Sequence, residues 1–315
     1  MIAYEDVLKV KERRKIDLMS IGVRAVTLKT GQRVTRPNVV GVGVGRKLVR
    51  GRETEELSEA ISVIKKLPKT SLRREEIIPK EIEGIKTDVI ETGVIYAPLT
   101  PTGRRTRMRP ARGGCSIGHY NITAGTFGCL VRRYGEELIL SNNHVLANEN
   151  KGLTGDPILQ PGPYDSGTSG DKIAELSTFV HISFDYGANK VDAALARPTD
   201  RRDVSPEIIG IGSPAGTAKA VLDTPVIKSG RTTGVTRGRI IRMDYTARVE
   251  YSGGRTALFE NQLVTWRISE GGDSGSVVLV DDGTRRVCGL LFAGSEYITV
   301  INRIEDVLSL LGVSL

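Results

Sequence analysis

Glu270-Gly-Gly-Asp-Ser274-Gly-Ser-Val-Val278 is the stretch on which the reading of this 315-residue chain turns. A serine stands between glycines and runs into two β-branched residues, the composition of a turn that opens a strand. A serine hydroxyl is a poor nucleophile at neutral pH and needs an adjacent base. Imidazole suits that role, and a buried carboxylate fixes its tautomer and stabilises the imidazolium. Two other segments offer those groups. Leu140-Ser-Asn-Asn-His144-Val-Leu146 sets a histidine directly after an apolar strand, and Val191-Asp192-Ala-Ala-Leu195-Ala196 leads an acid into a small apolar one. The glycines around Ser274 let the backbone bend so that the N–H groups of Gly272 and Ser274 converge on a developing oxyanion. One such donor contributes about 3–4 kcal/mol to a transition state.

Competing residues are set aside on context. His119 and His181 lack the strand and polar turn that frame His144, so they are expected to be structural or at the surface. Asp185 and Asp200 compete with Asp192, but only Asp192 runs directly into a strand that would bury it. Ser269 and Ser276 compete with Ser274, and Asp273 is expected to make an ion pair or a loop hydrogen bond.

Outward from these segments, residues 113–315 alternate short β-rich runs with Gly, Pro and Asp punctuation, at 128–132, 137–140, 193–196, 226–228, 238–242, 257–259, 276–280, 287–292 and 297–301. The pattern predicts a mainly β fold closed by a helix over 304–311. Residues 1–100 read as a small α+β domain. Val7, Val10, Ile16 and Leu18 have helical spacing, 38–46 and 60–64 read as strands, and a Glu83-Gly84 turn joins further short strands up to Ile90. Its Gly41-x-Gly43-x-Gly45 lacks the Lys-Ser/Thr of a phosphate-binding loop and the spacing of the dinucleotide fingerprint.

Charge separates the two parts. Residues 1–112 hold 25 Lys+Arg against 14 Asp+Glu, the remainder 20 against 23, for a net +8. Five arginines crowd into residues 101–112 (Arg104, Arg105, Arg107, Arg109 and Arg112), which reads as an exposed linker. Aromatic interleaving for base stacking is absent there, so a nucleic-acid partner is not expected. No run approaches the roughly 18 apolar residues of a membrane span. Three cysteines, Cys115, Cys129 and Cys288, make no disulfide framework, and with three scattered histidines they give no metal-ligand spacing. No cofactor or metal is expected. Met1-Ile-Ala-Tyr-Glu-Asp6 lacks the basic head and apolar run of a secretory signal, so a cytoplasmic location is expected.

The order His144, Asp192, Ser274, with Gly-Gly-Asp-Ser-Gly around the serine, resembles the chymotrypsin-like (trypsin-fold) serine peptidases. Val287-Cys-Gly-Leu-Leu-Phe-Ala-Gly294 is similar to their later strand, whose backbone pairs with substrate. Together with Gly230-Arg-Thr-Thr-Gly-Val-Thr236, the chain looks most like the bacterial intracellular members that carry an N-terminal α+β extension. The resemblance covers 113–315. It implies two six-stranded antiparallel β-barrels with the cleft between them, His144 and Asp192 coming from the first and Ser274 from the second. It also implies a serine endopeptidase acting on protein or peptide substrates through an acyl-enzyme. The base of the primary pocket falls six residues before the nucleophile, at Ile268, with Phe292, Ala293 and Gly294 along the substrate strand. Without a carboxylate at that base, Leu or Val is expected to be preferred over Arg or Lys.

The chain departs from the family in three places. Ser276 replaces a glycine, no cysteine follows His144, and no Ile-Val-Gly-Gly-like start stands at Gly113. Activation by insertion of a freed N-terminus is therefore not expected. The alternative to an active enzyme is a latent or inactive scaffold that binds a protein partner through residues 1–100.

Overall fold

Val39, Val40, Val42 and Val44 are all buried, which requires a strand covered on both faces. One cover is α1 (Tyr4–Met19), whose Val7, Val10, Leu18 and Met19 are buried. Ile16, expected on the same stripe, is 60% exposed, because nine steps of about 100° carry it to the side opposite Val7. The computed structural model describes residues 2–22, 24–27, 33–49, 52–95, 104–185 and 187–315, so 101–103 of the expected linker lie outside the described residues. A hairpin of β1 (Arg24–Thr27) and β2 (Arg33–Arg36) leads into β3 (Val39–Val49), which pairs antiparallel with β4 (Arg52–Val63). After β5 (Glu81–Ile82), the expected Glu83-Gly84 turn, with both residues at positive φ, returns the chain as β6 (Ile85–Glu91), parallel to β4.

The next segment differs from its expectation. Residues 104–112 do not form an exposed tether but lie along the folded body. Met108 packs on a core that contains the fully buried Ala111, and β7 (Ala111–Gly113) adds a short parallel pairing with a later strand. The arginines find counter-charges far off in sequence: Arg107 pairs with Asp171 at 3.1 Å, Arg112 with Glu207 at 3.1 Å, Arg105 with Asp165 at 3.7 Å and Arg109 with Asp203 at 3.7 Å.

A seven-stranded sheet follows, built from β8 (Ser116–His119), β9 (Gly125–Thr126), β10 (Cys129–Arg133), β11 (Glu136–Ser141), β12 (Pro157–Leu159), β13 (Lys172–Phe179) and, after β14 (Ala188–Asn189), β15 (Ala194–Pro198). Its order, β10-β11-β15-β13-β12-β8-β9, places strands that are neighbours in sequence, β9 and β10, at opposite ends. Ile117, Phe127, Ile139, Ile158, Ile173 and Leu176 fill its interior. β16 (Val204–Ile208) is the parallel partner of β7.

The second sheet has a closed six-membered core of β17 (Pro225–Gly230), β18 (Gly234–Glu250), β19 (Thr256–Trp266), β20 (Val277–Val280), β21 (Val287–Gly294) and β22 (Ile298–Arg303), because β19 pairs with both β18 and β22. α3 (Ile304–Leu311) closes the chain over the expected residues and buries Ile304, Val307 and Leu311. The fold is thus mainly β and barrel-like, one sheet closing as six strands and the other holding seven.

The long β18 also carries β3 on its outer edge, with Thr246 opposite Val42 and Arg242 opposite Gly45, so the N-terminal strands and the second barrel share one eleven-stranded sheet. The Gly-Val-Gly-Val-Gly run makes this contact sterically feasible. A Cβ on Gly41 or Gly43 would run into the Tyr245 ring. Cys115, Cys129 and Cys288 are free and buried, and burial pushes each thiol up to about 12.

Candidate active site

β11 and β15 run antiparallel with Ser141 opposite Ala194. The chain leaving β11 and the chain entering β15 therefore extend past the same end of the sheet. α2 (Asn143–Leu146) starts at that point and carries His144, while Asp192 lies two residues before β15. His144 Nδ1 approaches Asp192 Oδ2 to 2.6 Å, and the His144 backbone N–H donates to Oδ1 over 3.2 Å. Asp192 is fully buried and His144 largely so. Neutral amides hold the aspartate backbone: Asn142 Nδ2 donates to its carbonyl at 2.7 Å, and its N–H donates to Asn302 Oδ1 at 3.0 Å. Tyr251 donates its hydroxyl to Asp192 Oδ2 at 2.7 Å.

Ser274 sits in the loop between β19 and β20, which packs against the first sheet. Thr126 of β9 donates its N–H to the Ser274 carbonyl at 2.8 Å and its hydroxyl to the Gly272 carbonyl at 2.7 Å. The Ser274 hydroxyl donates to the Phe292 carbonyl at 3.3 Å. Among the described residues no hydrogen bond joins it to His144. In a trans peptide the N–H points opposite to the preceding C=O. Thr232 Oγ1 holds the Gly271 carbonyl, and the Asp273 carbonyl accepts from Ser276 N–H at 3.0 Å and Ser276 Oγ at 2.6 Å. The N–H groups of Gly272 and Ser274 are thereby turned away from these partners. Gly272 needs φ of +91° to do this, and a Cβ there would meet Thr232 Oγ1 at 2.7 Å.

Asp273 is the anchor of this loop. Lys228 Nζ lies 3.1 Å from Oδ2, both side chains being fully buried. Thr233 Oγ1 donates at 2.6 Å, and the backbone N–H groups of Thr232, Thr233 and Glu270 donate at 2.8, 3.1 and 3.0 Å. Burial pulls the Lys228 ammonium below the ordinary lysine range, and the Asp273 charge opposes that. The neighbouring Arg231 reaches the connection between β12 and β13 and grips Asp165 with two bonds of 2.6 Å, both side chains being buried. The Gly230–Thr236 motif thus serves as the cradle of the Ser274 loop.

The remaining sequence expectations are distributed as follows. His119 is buried with Nε2 2.9 Å from Asp156, and His181 is exposed. Phe292 and Ala293 are fully buried, and Gly294 is buried at the end of β21. The Ile268 side chain packs into the core of the second barrel with Ile240 and Leu263. A Cβ on Gly294 would lie 2.8 Å from the Ile298 carbonyl and 3.6 Å from the Ser269 hydroxyl, which is itself 2.8 Å from Thr299 Oγ1. Lys228, Thr232, Thr233 and Tyr251 were not singled out one by one from sequence. The first three lie in or beside the Gly230–Thr236 motif, whereas Tyr251 carries no local signal. Among the described residues no group of three or more His, Cys, Asp or Glu is arranged to hold a metal ion, and no helix is long and apolar enough to cross a membrane.

No protein-family model matches the chain, and no curated protein matches it in sequence. Similar solved structures are chymotrypsin-like serine proteases. Thermobifida fusca Protease A is 22% identical, covering 65% of this chain and 98% of its own, with a TM-score of 0.48. A glutamic-acid-specific serine protease is 21% identical over 65% of this chain and 100% of its own, TM-score 0.47. Cellulomonas bogoriensis chymotrypsin is 19% identical over 64% and 96%, TM-score 0.46. The likeness is one of fold.

Proposed function

We propose that the chain is a serine endopeptidase in which Ser274, His144 and Asp192 form the catalytic triad. The observation that carries this reading is the 2.6 Å contact between His144 Nδ1 and the buried Asp192 carboxylate. Ser274 Oγ attacks the scissile carbonyl carbon while His144 Nε2 takes its proton. The same proton passes to the departing amine, leaving an acyl-enzyme that water hydrolyses by the reverse sequence. The N–H groups of Gly272 and Ser274 receive the oxyanion. The backbone of Phe292, Ala293 and Gly294 lines up the substrate, and Ile268 backs the pocket wall that carries the Ser269 and Thr299 hydroxyls. Residues 1–100 regulate the peptidase or hold a protein partner. The pairing of β3 with β18 supports a route for this, and comparing kcat/KM of residues 113–315 with that of the full chain tests it.

A second reading, a latent conformer, is favoured by one observation: Ser274 is only 2% exposed and its hydroxyl is bonded to Phe292. Fluorophosphonate labelling separates the two. An active enzyme labels at Ser274 and loses the label in Ser274→Ala and His144→Ala. A wild-type chain that stays unlabelled supports latency and overturns the active-enzyme reading.

A further inference from the structure

Asp192 Oδ2 is shared by two donors, and the triad uses only one of them. The Tyr251 hydroxyl reaches this oxygen at 2.7 Å from just past the end of β18, beside the His144 Nδ1 contact of 2.6 Å. We propose that Tyr251 is a positioning residue for the His144–Asp192 pair, its phenol fixing the carboxylate and dispersing the charge that holds the imidazole. The inference rests on the peptidase reading above.

The geometry and the surroundings of Tyr251 fit this role. With the His144 N–H on Oδ1 and the phenol on Oδ2, rotation of the carboxylate about its Cβ–Cγ bond would break a bond on either side. Bonds from a hydroxyl to a carboxylate are roughly twice as strong as neutral ones. Burial first, and the Asp192 charge second, push the Tyr251 phenol well above its ordinary range, so it remains a donor. Its ring is held independently of the hydroxyl, edge-on to Phe184 with 5.4 Å between centroids and stacked on Phe259 at 6.2 Å. The other charged groups nearby are Glu149 and the Arg255 that pairs with it, while Asn142 and Asn302 around Asp192 are neutral. Tyr251 also shares its apolar cluster with Val40 and Ile95, and Glu250 N–H donates to the Ile95 carbonyl at 3.3 Å. The N-terminal part of the chain therefore contributes to the apolar cluster in which Tyr251 sits.

Removing the phenol hydroxyl concentrates negative charge on Oδ2 and favours the protonated imidazole, so a higher pH is needed to free the base. The test uses the full chain, with fluorophosphonate labelling rates from pH 5 to 9 and the downfield Nδ1 proton of His144 followed by NMR. In Tyr251→Phe the rising limb is expected to move up by about half a pH unit or more, which is roughly threefold in rate below the midpoint, and the Nδ1 resonance is expected to shift. A purely structural residue would lower the melting temperature without moving either. Should the phenylalanine variant not fold, a fluorinated tyrosine at position 251, a stronger donor, is expected to move the limb downward. An unchanged limb and resonance overturns the inference. A wild-type chain that does not label sinks the peptidase reading instead, while the Nδ1 resonance still decides the part played by Tyr251.

Discussion

Two buried carboxylates in different halves of the molecule are treated in opposite ways. Asp273, in the Ser274 loop, receives a lysine, a threonine hydroxyl and three backbone N–H groups. Glu59, on β4 beneath α1, is equally inaccessible, yet among the described residues neither of its oxygens has a hydrogen-bond partner. Burial pushes the Glu59 carboxyl up to about 7, with Lys11 and Arg14 pulling the other way. A buried charge is tolerated where donors are built around it, and a buried acid without them takes up a proton instead. The first arrangement fixes a loop in one shape. The second is expected to couple the folding of the N-terminal part to pH.

The largest effect is expected from breaking the Asp273 arrangement. Lys228→Met leaves an unpaired charge in the Ser274 loop, which costs about 3–5 kcal/mol. Unfolding in denaturant should show that loss, and fluorophosphonate labelling should fall with it as the Gly272 and Ser274 amides lose their orientation. The double variant Lys228→Met with Asp273→Asn should recover part of the stability, because no buried charge is left over. A Lys228→Met chain of wild-type stability would show that the pair does not anchor the loop.

Glu59 sharpens the contrast with the opposite sign. Its carboxyl is raised from 4.5 to about 7 in the folded chain, so the folded state holds the proton more tightly. The Glu59 contribution to stability should then be greatest below about pH 4.5 and decline as pH climbs to 7. Glu59→Gln removes that decline. It should stabilise the chain at pH 8 by up to about 3 kcal/mol and by almost nothing near pH 4.5, read from urea unfolding at the two pH values. Equal effects at both would contradict the assignment.

Local sequence carried many of the elements well. α3 spans the expected residues, the Glu83-Gly84 turn joins β5 to β6, and His144 and Asp192 meet because each flanks the end of an apolar strand. What was not legible depends on partners remote in sequence. The arginines of 104–112 read as solvated because Asp165, Asp171, Asp203 and Glu207 lie tens of residues away. The union of β3 with β18 was hidden for the same reason, since only Tyr245 explains why Gly41 and Gly43 must lack side chains. Tyr251 is a lone aromatic after a long strand, and nothing beside it in the chain marks its bond to Asp192.

The proposed activity of Ser274, with His144 and Asp192, is cleavage of peptide bonds. Its most direct test is incubation of wild type, Asp192→Asn and Ser274→Ala with a peptide library, with cleavage sites and rates read by mass spectrometry. Cleavage by wild type, a rate lower by roughly 10⁴ in Asp192→Asn from the wrong imidazole tautomer, and none in Ser274→Ala is the expected result. Wild-type cleavage that persists in Ser274→Ala, or no cleavage by any of the three, would contradict it.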